Sequence, residues 1–470
     1  MDDPLENIID KRHPDDIIYD MALYPLCNAM GQALAIPQFI DEAVGPKDPR
    51  AKLSTGTLAM AFIMNILNQR TPLLHVAASF KNVDCEVLFG PGITNEDLTE
   101  ARLGTALDDL SEIDQRKLFS RIALHGLHIH GVPVKTSHID TTNFSVHGEY
   151  DSPPDGDFDV TFGNSKDKRK GLKLIGLGVA IQQDLLPVIG QGLSGNGSDA
   201  VWFREALDEM ADLFTGDLFT HPILVYDAAA SNVEMLNKAH KQQMPCIIRL
   251  SERFNIAGLY IQKAWEEDRW QTIGQLADHI SDQTAAYRIT SFKDTIGEGV
   301  WRILVIHSSA LQKAKETSAT RRLPKRKQQL EKKAGQLARK AFTTHSEAVC
   351  YAEQFVKDLI GLESPFEYQI RVEEKTVEKY ARPGKPTKND QKIKTTTYHA
   401  HVCIGEIDPE LYRRWLERES TFVLVDNVPE ERLPEEGILK EYNDQWKVEG
   451  QFRFLKQPII LGPIRDRFTS

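Results

Sequence analysis

One stretch of this chain alternates short apolar runs with amphipathic segments, and that alternation restricts the fold more than any other feature. Residues 133–146 are rich in β-branched side chains, and residues 171–181 alternate bulky with small side chains, so each predicts a strand. The next apolar run contains Pro187, which predicts a strand at the edge of a sheet. Amphipathic helices are predicted before each of the apolar runs at 221–227 and 245–250. The order strand, hairpin, helix, strand, helix, strand predicts a mixed α/β sheet.

Two carboxylates stand where such a sheet usually carries its chemistry. Asp140 is predicted at the end of the first strand, and Asp227 follows the apolar run of a later one. Because ligands of open α/β sheets bind beyond the carboxyl ends of the strands, the two side chains can meet although they are far apart in the chain. The alternative is that each aspartate caps a helix or closes a turn.

The rest of the sequence divides around this core. The N-terminal part is mainly helical, and its apolar block at 58–64 is too short to cross a membrane, so it predicts a buried core helix. A large β-rich insertion follows the first part of the core, and within it the Lys- and Thr-rich segment 374–397 predicts a mobile loop or the tip of a long hairpin. A last helix completes the core. The predicted domains are 1–130, 131–250, 251–430 and 431–470.

Positive charge is concentrated in one segment of an otherwise acidic chain. The chain has 57 basic and 68 acidic residues, yet residues 311–340 hold eleven Lys or Arg and two Glu. Leu330, Ala334 and Leu337 recur there at helical spacing, so an amphipathic helix is predicted, with Pro324 near its first turn. Its cationic flanks suit the phosphate backbone of DNA, and a solvated helix face is the alternative.

The strongest local pattern lies near the C-terminus, where five polar residues recur at helical spacing. On a single helix they share one face. A tyrosine, a carboxylate and two cations form no apolar seam, but they suit a metal-binding acid flanked by phosphate contacts. An exposed helix with an ion pair between the carboxylate and the arginine four residues later is the alternative. The residues are Tyr442, Gln445, Glu449, Arg453 and Lys456.

The spacing Tyr-x2-Gln-x3-Glu-x6-Lys from Tyr442 to Lys456 resembles the Tyr-x2-Arg-x3-Glu-x6-Lys signature of a large group of bacterial insertion-sequence transposases with a DDE active site. HIDTTNFSVHGEY resembles the block around the family's first aspartate, NSKDKRKGLK the basic turn after it, and ILVYDAAASNVEML the block around the second aspartate. FRFLKQP resembles the end of the catalytic helix, and NILNQRTPLLHVAASF and ARLGTALDDL resemble the helical N-terminal region of one branch. The resemblance extends from about residue 50 to about residue 460.

The resemblance implies a fold and a site. The fold is α/β, with a ribonuclease-H-like mixed-sheet catalytic core, a large β-rich insertion before the third acid and a helical N-terminal domain for DNA binding or dimerisation. Asp140, Asp227 and Glu449 would be the catalytic triad, binding two Mg²⁺ ions for which Mn²⁺ can substitute. The residues implied in DNA binding, by the resemblance or by their charge, are Tyr442, Gln445, Arg453, Lys456, Lys166, Lys168, Arg169, Lys170, Arg321, Arg322, Lys325, Arg326 and Lys327.

The implied reaction is metal-dependent cleavage at transposon ends, followed by attack of the freed 3′-hydroxyl on target DNA. The implied partners are double-stranded DNA, namely the terminal inverted repeats and the target, and a second copy of the chain in a homodimer on DNA. Two alternatives remain. One is a transposon-derived DNA-binding protein without catalysis, because Gln445 stands where most members have Arg and only 14 residues follow Lys456. The other is a ribonuclease-H-like nuclease without strand transfer.

Other patterns are weaker. The glycines of 190–195 match a dinucleotide-binding motif, but the strand before them contains a proline and no acid follows at the required distance. The histidines of 125–130 and 399–401 lack partner ligands at matched spacing. Five widely spaced cysteines predict neither a disulfide framework nor a zinc site. The acidic N-terminus and the absence of a long apolar run predict a cytoplasmic, nucleoid-associated protein without a membrane partner.

Overall fold

The chain divides into two compact units. Unit 1 comprises Met1–Ile248, Ile296–Gly299 and Asp426–Ser470, and unit 2 comprises Arg249–Thr295 and Val300–Val425. The computed structural model describes residues 19–46, 50–68, 70–148, 150, 158–166, 171–276, 284–360, 364–380, 392–456 and 464–465.

Unit 1 begins with helices packed around a shared apolar core. The helices are α1 (Tyr24–Ala33), α2 (Ile36–Val44), α3 (Thr55–Asn68), α4 (Val76–Ser79), α5 (Cys85–Phe89), α6 (Glu100–Ser111) and α7 (Gln115–Ile129). The apolar block predicted as a core helix lies in α3, where Leu58, Met60 and Met64 are buried against side chains such as Tyr24 and Phe80. This prediction is confirmed.

The mixed α/β sheet predicted for the middle of the chain is also confirmed. Its strands run in the order β3-β2-β1-β4-β5, with β2 antiparallel to both neighbours and β4 parallel to β1 and β5. Pro187 begins β3, which is the edge strand in this part of the sheet, as predicted. The elements are β1 (Thr136–His147), β2 (Lys173–Gln182), β3 (Pro187–Ser194), α8 (Asp199–Leu213), β4 (Ile223–Tyr226), α9 (Val233–Lys241) and β5 (Cys246–Arg249).

Unit 2 combines an antiparallel hairpin with a second run of strands and several helices. Its elements are α10 (Asn255–Glu267), β6 (Gln271–Gln275), β7 (Ala286–Ile296), β8 (Gly299–Ser308), α11 (Ser309–Leu337), α12 (His345–Phe355), β9 (Phe366–Tyr380), β10 (Lys392–Ile407), α13 (Pro409–Glu419) and β11 (Thr421–Asp426). The strand order is β11-β8-β7-β6, and β9 pairs with β10 alone. The expectation that 374–397 forms a mobile loop or a hairpin tip is wrong for 374–380 and 392–397, which lie in the paired strands of a long hairpin, and 381–391 lie outside the described residues.

The basic helix α11 is longer than predicted. It begins at Ser309, so the expectation that Pro324 lies near its first turn is wrong, and the proline lies in the helix interior. A proline there removes one backbone hydrogen bond. Leu323 and Leu330 are buried in one apolar cluster with Phe366, so tertiary packing stabilises the helix on both sides of the proline.

The C-terminal part of unit 1 returns to the sheet. It contains α14 (Glu435–Asn443), α15 (Trp446–Leu455) and the short strand β12 (Ile464–Arg465), which pairs parallel with the end of β1. Within the described parts of the chain, no helix has both the length and the apolar character that a membrane span requires.

The two faces of the β1–β2 pair are packed by different helices because successive side chains on a strand alternate between faces. One face of β2 carries Gly176, Gly178 and Ala180, and a Cβ at Gly178 would lie 2.2 Å from the Trp202 ring of α8. Glycine therefore allows α8 to approach this face closely. The bulky residues between these small ones project to the opposite face.

Candidate active site

The parallel pairing of β1 and β4 brings the first two predicted acids together. Ile139 beside Tyr226 is the last registered pair, and Asp140 and Asp227 are the next residues on each side. The expectation that Asp140 ends its strand is wrong, because β1 continues along β2 to His147. It is β4 that ends at this level. The two carboxylates nevertheless flank the carboxyl end of a parallel strand, which is where open α/β sheets bind ligands.

The surroundings of Asp140 make its ionisation unfavourable. Its side chain is only 17% exposed, and burial raises the pKa of this carboxyl to about 6. The nearby carboxylates of Asp227 and Asp199 also raise this pKa, whereas Lys166 and the Thr141 N–H lower it. The Thr141 N–H donates to Asp140 Oδ1 at 2.7 Å, and Lys166 Nζ lies 3.7 Å from the same oxygen. A buried carboxylate beside two other acids is a setting that a bound cation would stabilise.

Asp227 has a local structural role as well. Its Oδ1 accepts a hydrogen bond from the Ala229 N–H at 2.8 Å and so caps the short 3-10 turn Ala228–Ala230 that follows β4. The alternative prediction of a capping aspartate is therefore confirmed for Asp227. The cap orients the carboxylate at the end of β4.

The helix that carries the third predicted acid lies on the same face of the sheet as Asp140. Asp140 is registered opposite Val179, and facing residues of an antiparallel pair project to the same side. Val179 is buried against Val448 and Phe452 of α15. Glu449 follows Val448 on this helix and is exposed. The packing of β2 thus fixes α15 over the face from which Asp140 projects.

The prediction of a single helix from Tyr442 to Lys456 is wrong, because a turn at Asp444 and Gln445 separates α14 from α15. Hydrogen bonds of the 3-10 pattern, which span three residues instead of four, replace the α-helical bonds there. The Gln445 N–H donates to the Tyr442 carbonyl at 3.2 Å, and the Val448 N–H donates to the Gln445 carbonyl at 3.1 Å. The stripe is therefore divided: Tyr442 lies on α14, Gln445 in the turn, Glu449 and Arg453 on α15, and Lys456 directly after it.

Among the described residues, no group of three or more His, Cys, Asp or Glu side chains is arranged to hold a metal ion. The fold pairs Asp140 with Asp227 and places the Glu449 helix on the same face. Carboxylate oxygens are the ligands that Mg²⁺ prefers, so the chemistry of the three acids fits this ion.

Lys166 was predicted to contact DNA, but its ammonium group bonds within the protein. Its Nζ donates to both the carbonyl and the hydroxyl oxygen of Thr141, each at 2.6 Å. The other cations predicted in this turn, Lys168, Arg169 and Lys170, lie outside the described residues.

Two residues of the site were missed in the sequence. Thr141 Oγ1 donates to Asp199 Oδ1 at 2.7 Å, and Lys166 Nζ lies 3.8 Å from Asp199 Oδ2. Asp199 is the first residue of α8, after the N-cap Ser198. The available signals were a threonine directly after the first acid and an acid at a helix start, and both patterns are common in proteins without such a site.

The cations predicted on the basic helix belong to unit 2. Arg321, Arg322 and Lys325 are exposed on α11, as is Arg326. Lys327 is only 23% exposed and pairs with Glu406 at 2.6 Å. A surface of basic side chains along one helix is suited to phosphate contacts.

Two of the weaker motifs have structural roles. The glycines of 190–195 lie in and directly after strand β3, not in a strand-to-helix turn, so the dinucleotide motif lacks its required context. His399 Nδ1 lies 3.1 Å from the Ala338 carbonyl oxygen, and His401 Nε2 lies 3.1 Å from Glu373 Oε2.

Comparison with known families finds one match. Residues 17–124 match a family described as a domain of unknown function (DUF4277). No curated protein matches the sequence. The matched segment covers the N-terminal helices and ends before Asp140, so it carries no information on the carboxylate site.

Proposed function

We propose that this protein is a DDE transposase with a ribonuclease-H-like core, which cleaves transposon ends and joins the freed 3′-hydroxyl to target DNA. The observation that carries the proposal is the pairing of Asp140 with Asp227 beside the end of β4, with the Glu449 helix packed on the same face of the sheet. The similarity of the blocks around these acids to the transposase family supports the same assignment.

Each of the three acids would contribute to binding the metal ion. Asp140 and Asp227 would hold Mg²⁺ from the sheet, and Glu449 would hold it from α15. When bound, Mg²⁺ supplies activation of the attacking oxygen and charge stabilisation on the leaving oxygen. Asp140 is deprotonated at neutral pH and so offers a negative ligand, and the Asp227 cap keeps its own carboxylate oriented.

DNA binding would rest on cations outside the carboxylate pair. Arg453 is exposed one turn after Glu449 on α15 and is suited to a phosphate close to the acids. The exposed arginines and lysines of α11 would add contacts that carry no sequence information. We expect the affinity for DNA to fall steeply as salt rises, because each neutralised phosphate releases counterions.

The experiment uses a supercoiled plasmid that carries the DNA flanking this gene on both sides. With Mg²⁺ or Mn²⁺ the protein nicks at the element ends and joins them to target DNA, and with EDTA it does neither. Asp227→Asn abolishes both reactions but keeps DNA binding, because an asparagine still accepts the Ala229 N–H. The matched control, Asp184→Asn, removes a charge from the exposed β2–β3 turn and keeps activity. Persistent nicking by Asp227→Asn would reject the proposed site.

A DNA-binding protein without catalysis is the second candidate. The observation that favours it is the break between α14 and α15, which separates Tyr442 from Glu449 on different helices. This candidate predicts salt-sensitive binding to the flanking DNA with no metal-dependent nicking by the unmodified protein. Nicking without joining of the ends would instead indicate a nuclease.

A further inference from the structure

A second set of side chains surrounds Thr141 next to the carboxylate pair. Lys166 Nζ donates to the Thr141 carbonyl and hydroxyl oxygens, and the same hydroxyl donates to Asp199 Oδ1. The threonine hydroxyl therefore acts both as a hydrogen-bond acceptor, from the lysine, and as a donor, to the aspartate. Thr141 is only 3% exposed, whereas the side chains of Lys166 and Asp199 are 40% and 37% exposed, so the bonds join a buried hydroxyl to two partly exposed charges.

The position of Lys166 is itself fixed by β1. Its backbone N–H donates to Asn143 Oδ1 at 3.1 Å, and Asn143 Nδ2 donates to the Asn164 carbonyl at 2.9 Å. Asn143 and Thr141 are two positions apart and project to the same face of the strand. The turn that carries Lys166 is thus attached at three points to the strand that carries Asp140.

The connection to Asp140 runs through the backbone of Thr141. The Thr141 N–H donates to Asp140 Oδ1 at 2.7 Å, while its carbonyl oxygen accepts from Lys166. Lys166 Nζ lies between the carboxylates of Asp140 and Asp199, at 3.7 and 3.8 Å. One cation thereby offsets the repulsion between two acids on neighbouring elements.

We propose that Lys166, Thr141 and Asp199 form a network that positions the Asp140 carboxylate, and that Lys166 acts in this network rather than on a DNA phosphate. Lys166 and Asp199 are positioning residues that act through Thr141. The part of the proposal that concerns catalysis rests on the proposed transposase function, whereas the part that concerns the order of β1 does not.

The first test measures amide hydrogen exchange at Thr141 by NMR in the metal-free protein at one fixed pH. In Lys166→Met, hydrogen exchange at the Thr141 amide rises on the order of tenfold. The reason is that the charge-assisted bond from Lys166 to Thr141 is lost, so this part of β1 opens more readily. The matched control is Lys135→Met, which removes an exposed lysine just before β1 and leaves the exchange unchanged. Equal exchange in the wild type and Lys166→Met overturns the proposal.

The second test separates positioning from DNA contact. A positioning role predicts that Lys166→Met leaves unchanged the slope of log affinity against log salt for a flanking-DNA duplex in EDTA. A lost phosphate contact lowers the magnitude of this slope by about 0.9 and overturns the proposal. Thr141→Val removes the bridging hydroxyl at a buried site that DNA cannot reach. A positioning role therefore predicts that Thr141→Val lowers kcat as Lys166→Met does.

The kinetic readout uses nicking of the flanking-DNA plasmid. Both variants lower kcat on the order of tenfold to hundredfold with an unchanged KM for DNA, measured at a temperature at which each variant is fully folded. A fall in kcat no larger than the fall in the folded fraction would show a merely structural role and overturn the proposal. If the wild-type protein does not nick, the proposed function fails, and hydrogen exchange at Thr141 still decides whether the network exists.

Discussion

Replacing Asp140 by asparagine should abolish metal-dependent nicking and at the same time stabilise the metal-free protein at neutral pH. The asparagine keeps an oxygen that accepts the Thr141 N–H, but it carries no charge into the buried site. The wild-type carboxylate is ionised at pH 7.5 although its surroundings disfavour the charge. Function and stability therefore oppose each other at this position.

The magnitude follows from the raised pKa. The pKa of Asp140 rises from an ordinary 3.8 to about 6 in the folded protein. A tenfold change in proton affinity corresponds to about 1.4 kcal/mol, so ionisation costs the folded state about 3 kcal/mol at pH 7.5. The sign follows from proton binding: the folded state binds this proton more tightly, so the cost is absent well below pH 3.8, grows between about pH 4 and 6, and is complete above about pH 7.

The assay is urea unfolding in EDTA at pH 7.5 and at pH 4.5. Asp140→Asn should exceed the wild type in free energy of unfolding by about 3 kcal/mol at pH 7.5 and by only about 1 kcal/mol at pH 4.5. The control Asp184→Asn changes an exposed side chain and should shift stability by less than about 0.5 kcal/mol at either pH. A variant no more stable than the wild type at pH 7.5, or a difference that does not shrink at pH 4.5, would refute this reasoning.

Three further outcomes are expected. Phe452→Ala should cost about 3–5 kcal/mol in urea unfolding and abolish nicking, because the ring is buried against β2, whereas Phe454→Ala on the exposed side of α15 should cost far less. Equal costs would mean that α15 does not depend on this contact. The triple variant Arg321→Gln, Arg322→Gln, Lys325→Gln should lower the magnitude of the salt slope of DNA binding by about 2–3, and an unchanged slope would remove α11 from the DNA interface. EDTA should abolish nicking but not DNA binding, as measured by gel shift.

The strands of unit 1 and the edge position of β3 could be predicted because their signals are local. The small residues at Gly176 and Gly178 and the proline at 187 each restrict a strand through sterics, and the structure places them as expected. The level of Asp140 within its strand could not be predicted in this way. It depends on how far β1 continues beside β2 after β4 has ended, and that is a property of the pairing between distant segments.

The candidate site was predictable in its residue types and only partly in its contacts. The helix with Glu449 was expected, but the turn at Gln445 was not, because no proline or glycine marks it. The internal contacts of Lys166 were not expected, because basic runs generally face solvent. Its partners Thr141 and Asp199 are far from it in sequence, and only the folded sheet brings them within hydrogen-bonding distance.

The central claim is that Asp140, Asp227 and Glu449 serve one divalent-cation site. Anomalous diffraction from crystals soaked in Mn²⁺ tests it most directly, since the ion substitutes for Mg²⁺ and its position can be read without activity. We predict a peak bonded to oxygens of Asp140 and Asp227, with Glu449 on the same ion or on a second one beside it. Manganese bound only elsewhere, or a peak at Asp140 and Asp227 with Glu449 directed away from it, would contradict the claim.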